Sequence, residues 1–131
     1  MALSADRRTE YKVGVEIAFP VAAATTIYGG AMVCVDANGY AVPAADTAGL
    51  KFVGVARENV DNSGGANGDK SVIVRRKGVF RFKATSITQA MVGDTMYAVD
   101  DETFDETVTN SVAVGKLVEY VSATDGWIDI G

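Results

Sequence analysis

From residue 11 to residue 19 the odd positions are Tyr11, Val13, Val15, Ile17 and Phe19, while the even ones are Lys12, Gly14, Glu16 and Ala18. A period of two places all five large apolar side chains on one side of a strand, and no helix does that. A chain that opens this way needs other strands to pair with and a core to cover. Candidates follow at short intervals. Residues 32–35 and 40–43 flank the Asn38-Gly39 pair, whose tolerance of positive φ suits a tight hairpin. Residues 51–57 read as a further strand, in which Gly54 leaves room for a neighbouring backbone or a bulky cross-strand side chain. Residues 71–74 and 79–82 are expected to pair across 75–78, with Phe80 and Phe82 on one face and Arg81 and Lys83 on the other. Residues 96–99, 111–121 and 127–130 supply three more strands, the last entered through a tight Asp125-Gly126 connection.

Between these runs the chain is punctuated by turn formers. Gly29 and Gly30 permit a turn or bulge. Residues 61–69 hold little that packs, so a flexible surface loop is expected there. The helix signal is confined to Ser86-Ile-Thr-Gln89, a capping-box pattern that predicts a turn or two ending at Gly93. The expected fold is therefore all-β with at most one short helix, a compact barrel or sandwich. A weak internal echo between residues 30–74 and 93–130 suggests two similar hairpin lobes, each with a glycine-bearing strand, packed as one β domain over 11–131. Residues 1–10 are polar, with Leu3, Arg7 and Arg8 as their few anchors, and read as an extended arm that orders against a partner surface.

The same residues narrow the chemistry. Histidine is absent, which removes His-dependent triads and His-ligated metal sites. The single cysteine, Cys34, falls in an expected strand with no base beside it and reads as a core thiol. Residues 64–71 look at a glance like a phosphate-binding loop, but Asp69 stands where that motif needs glycine, and a strand follows where it needs a helix. Asp100, Asp101, Glu102, Asp105 and Glu106 gather five carboxylates, yet they lack the spacing and central glycine of a calcium loop, so a solvated acidic hairpin tip is expected. No catalytic residue, cofactor or metal ligand is identified, and an enzyme is not expected. Seventeen acidic against twelve basic residues give a formal charge of -5, which disfavours nucleic acid as a partner. No apolar run approaches the roughly eighteen residues of a membrane span, and residues 1–10 lack the apolar core of a signal peptide, so synthesis in a cytoplasm-like compartment is expected. Arg75-Arg76-Lys77 is the one basic run, suited to an acidic protein surface.

In chain order, residues 27–33, 38–43, 52–56, 61–65, 68–70 and 74–80, followed by 87–89, 92–95, 97–101, 113–115 and 126–130, resemble the capsid decoration (cement) proteins of tailed bacteriophages. The likeness runs from about residue 11 to residue 130. It is carried by turn and strand patterns and brings no catalytic residues with it. It implies a β-rich protein on the exterior of a virion capsid, bound to the phage major capsid protein and assembled there as a homotrimer. The expected contact residues are Leu3, Arg7, Arg8, Tyr11, Arg75, Arg76 and Lys77. Two other readings stay open: a tail or fibre component of a virion, and a β-sandwich ligand-binding module that would use Trp127 and the tyrosines.

Overall fold

The computed structural model describes residues 2–10 and 12–131, and their regular secondary structure is β-strand apart from one 3-10 turn. Twelve strands are defined among the described residues: β1 Glu16–Pro20, β2 Thr25–Ile27, β3 Met32–Val35, β4 Ala41–Pro43, β5 Lys51–Ala56, β6 Val60–Asn62, β7 Ser71–Arg75, β8 Val79–Ala84, β9 Thr95–Ala98, β10 Thr103–Asp105, β11 Ala113–Ser122 and β12 Asp125–Asp129.

They make two five-stranded units with one strand order. The first is the sheet β1-β7-β5-β3-β4; the second is a closed barrel, β8-β12-β11-β9-β10, in which β10 returns to pair with β8 in parallel. A parallel bridge from Val21 to Ala41 joins the ends of β1 and β4 at the matching place in the first unit. Strand pairs β3/β4 and β9/β10 occupy equivalent positions, and so do the glycine-bearing strands β5 and β11.

Each unit has a packed interior. Val21, Ile27, Val33, Ala41, Ala56, Val60, Val72 and Val74 fill the first, with β2 and β6 closing its end as a small ribbon. The second interior holds Phe82, Met96, Phe104, Val114, Leu117 and Ile128, and it is continuous with Met32, Cys34, Ala44 and Val55 on the opposite face of the first sheet. Alternation along β3 explains this: Val33 points into its own unit, while Met32 and Cys34 point toward the other. Both faces of β3 are thus buried, and area removed from water there stabilises the sheet at about 25 cal/mol per Å². Asp46 ties the units further. Its carboxylate accepts the backbone N–H groups of Asn110 at 2.7 Å and Thr109 at 3.0 Å.

Several sequence expectations hold. The Asn38-Gly39 hairpin forms, with Gly39 at φ +86° and Asp36 Oδ1 accepting from the backbone N–H of Asn38 and Tyr40. Phe80 and Phe82 turn inward from β8, and Arg81 and Lys83 turn outward.

Others do not. The strand expected over 11–19 starts only at Glu16; Tyr11 lies outside the described residues, and Val13 and Val15 are exposed. Its partner β7 ends at Arg75, opposite Glu16; one further backbone bond joins Arg76 N–H to Val15 O, and Gly14 at φ +75° then turns the chain out of the ladder. The segments 71–74 and 79–82 do not pair with each other. β7 lies between β1 and β5, and β8 between β12 and β10, because Gly78 at φ +127° carries the chain from one unit to the other. The expected helix is one 3-10 turn, Gln89–Met91, capped by Thr88 without a side-chain bond in place of Ser86. Asp125 and Gly126 belong to β12 rather than to the turn before it. A Cβ on Gly126 would lie 2.8 Å from Leu117 Cδ1, so the glycine is there for packing.

The 61–69 segment begins in β6, and the exposed loop that follows is tied down by hydrogen bonds. Asn62, 1% exposed, donates from Nδ2 to the carbonyls of Ala22 and Ala66, and Asn67 Oδ1 accepts from Ala23 N–H. The acidic run is a hairpin tip only in its first half: Asp100, Asp101 and Glu102 connect β9 to β10 with Asp100 and Glu102 exposed, whereas Thr103–Asp105 form β10, whose Phe104 is fully buried.

Candidate interaction surface

Cys34 is fully buried, and burial pushes its thiol up to about 12, outweighing an opposing hydrogen bond at Ala45. The carboxylates of the acidic run diverge. Asp100 Oδ1 accepts from Glu102 N–H, Glu102 pairs with Lys83 at 3.3 Å, and Asp105 Oδ1 accepts from Glu106 N–H. Asp101 is raised by burial and by neighbouring Asp100, and Glu106 by a shared hydrogen bond with Asp94. Among the described residues no three His, Cys, Asp or Glu side chains come together as metal ligands.

The surface offers more. Residues 2–10 and 12–15 form an extended arm with Leu3 and Val13 each 74% exposed. Arg76 fastens its base: the backbone N–H donates to Val15 O at 2.8 Å and Nη1 to Gly14 O at 3.1 Å. Leu3, Arg7 and Arg8 lie exposed along this arm. Lys77 is exposed in the crossover between the units.

Arg75 belongs to a larger grouping. It lines a groove of about 320 Å³ at the junction of the units together with Arg57 and Arg81, over a floor of Val55, Ala56 and Phe82. The groove continues past Gly30 into a second, of about 400 Å³, edged by Lys83. The strand order explains the convergence. β1, β7 and β5 are neighbours, which sets Glu16 opposite Arg75 and Arg75 opposite Val55, with Arg57 just beyond β5. Arg81 arrives from the other unit on the outward face of β8.

Two kinds of ion pair occupy this surface. Arg81 holds Asp125 through both carboxylate oxygens, with Nε to Oδ1 at 2.9 Å, and these bonds keep Asp125 below the usual carboxylate range. Glu16 is instead shared, at 3.4 Å from Arg57 and 3.5 Å from Arg75. The outward face of β8 shows Arg81 and Lys83 as grooveside residues in the sequence itself. Arg57 and Glu16 carry no such local signal, because only the pairing of distant strands brings them to Arg75.

No family model, curated protein or solved structure matches the chain.

Proposed function

We propose that this protein decorates the outside of a tailed-phage head, binding the major capsid protein and bridging its subunits as a homotrimer. The observation that carries the reading is the exposed arm beside a rigid β body: a segment with Leu3 and Val13 in solvent gains by ordering on another surface. The order of turn and strand motifs along the chain supports the same reading. A clamp that binds only assembled shell stabilises that shell by mass action, and several weak contacts per trimer add through effective concentration.

Co-sedimentation with expanded, empty heads tests the proposal. Binding to heads and not to isolated capsid subunits is the expected result. Immunogold labelling of the tail in intact virions, or no binding to heads at any concentration, overturns it.

A further inference from the structure

Arg57 and Arg75 are the least satisfied cations on the groove. Charge-assisted N–H to carboxylate bonds settle near 2.7–2.9 Å, often in bidentate pairs. The Arg81–Asp125 pair meets that description, whereas Glu16 stretches between two guanidiniums at 3.4 and 3.5 Å and completes neither. Side chains here are about half exposed, Arg57 at 50% and Arg75 at 52%, so the existing pairs are weak and readily exchanged. One carboxylate against two arginines leaves a net positive site, and Arg76 and Lys77 follow directly in the chain with no carboxylate partner among the described residues. This lies on a protein whose formal charge is -5. The floor below the arginines is apolar, with Val55, Ala56, Phe80 and Phe82.

We infer that the junction groove is a docking site for an extended acidic segment of a protein partner, whose carboxylates displace Glu16 from Arg57 and Arg75 while an apolar side chain covers the half-buried Phe80. The choice of a protein over another polyanion rests on the function proposed above and on the floor: a segment alternating acidic and apolar residues matches both the guanidiniums and the apolar strip. Phosphate backbones match only the first. Glu16 acts as a placeholder that pairs loosely with both arginines until the partner arrives.

The test uses the full chain labelled with ¹⁵N and a blocked octapeptide of alternating Glu and Val. Titration is expected to shift the amides of Gly30, Val55 and Arg57 and the side-chain Nε signals of Arg57 and Arg75. The Arg57→Gln/Arg75→Gln double variant is expected to bind at least about tenfold more weakly, the loss of two charge-assisted contacts. Glu16→Gln, which removes the internal competitor, is expected to bind roughly threefold more tightly. Thermal melts confirm that each variant is folded. Shifts centred elsewhere, unchanged affinity in the double variant, or weaker binding by Glu16→Gln overturns the inference. So does equal binding of the Lys-Val octapeptide, or tighter binding of an oligothymidylate at the same groove. The two proposals separate cleanly. Peptide binding without head binding overturns the decoration reading alone, and head binding by a chain that ignores the peptide overturns the groove alone.

Discussion

Gly54→Ala should be among the most damaging single substitutions in the molecule. Gly54 sits in β5 at φ +147°, opposite Val33, where β3 and β5 change register. A Cβ at this position would overlap the carbonyl oxygen of Arg75 and lie 2.6 Å from Val74 Cγ1. The first contact is backbone and cannot rotate away, so β7 must move off β5. That movement breaks the ladder at Val55↔Arg75 and Ala56↔Val74. Each lost bond costs about 0.5–1.5 kcal/mol. The strained φ adds about 1–3 kcal/mol. The expected loss is about 3–5 kcal/mol, a large share of the roughly 5–15 kcal/mol typical of a domain. Gly30→Ala isolates the steric part: Gly30 has φ +86°, but a methyl group added to it would meet nothing within 4 Å, so only the conformational cost, about 1 kcal/mol, remains. Urea unfolding followed by Trp127 fluorescence measures both. If the loss for Gly54→Ala lies within about 1 kcal/mol of that for Gly30→Ala, the close approach of β5 and β7 is not what requires glycine, and the reasoning fails.

Gly115→Ala should behave like Gly54→Ala, because its Cβ would overlap the Asp129 carbonyl oxygen from the equivalent strand of the other unit; the same urea titration checks it. Asn62→Ala removes the donor to Ala22 O and Ala66 O and should destabilise by about 2–4 kcal/mol, with amide exchange in residues 63–70 accelerating first. Cys34 should not react with a thiol reagent at about pH 8 in the native state and should react fully in denaturant, since its thiol is raised to about 12. Asp61 is held at about 2 by the Ser63 hydroxyl and amide and by Thr26. Its folded value is depressed, so its stabilisation is present above the unfolded value near 3.8 and is lost as pH falls toward 2. Asp61→Asn should therefore flatten the fall of melting temperature with pH across that window.

What the sequence disclosed, and what it did not, follows from the range of the interactions involved. The β3/β4 hairpin was legible because Asn38 and Gly39 act on their immediate neighbours. The faces of β8 were legible because alternation is local, and the echo between residues 30–36 and 93–100 falls on β3 and β9, which hold matching places in the two units. β10 was hidden because the carboxylates of Asp100, Asp101, Glu102, Asp105 and Glu106 surround Thr103 and Phe104 and mask a three-residue strand, which one buried phenylalanine decides. β2 and β6 were hidden for a related reason: strands of three residues gain stability from closing the first core, not from propensity. The partners of β7 and β8 could not be read at all. Short sequence separation favours pairing across 75–78, but the two strands serve different cores, and burial on both sides outweighs the nearer connection. The candidate surface divides along the same line: Arg75, Arg76 and Lys77 announce themselves as a run, whereas Glu16 and Arg57 reach them through strand pairing over long separations.

The distribution of charge gives the groove a consequence for how docking proceeds. An acidic partner meets repulsion from a body of net charge -5 in every orientation but one, so the basic groove selects the approach as well as holding the contact. At an ionic strength of about 0.15 M the screening length is roughly 8 Å, which leaves steering effective only near contact. Raising salt should then slow association of the acidic octapeptide more than it speeds dissociation. Once seated over Phe80, the segment is held partly by apolar contact that salt does not weaken. Stopped-flow mixing of the octapeptide at several salt concentrations separates the two rates. A dissociation rate that rises with salt as steeply as the association rate falls would mean that charge alone retains the segment and that the apolar floor takes no part.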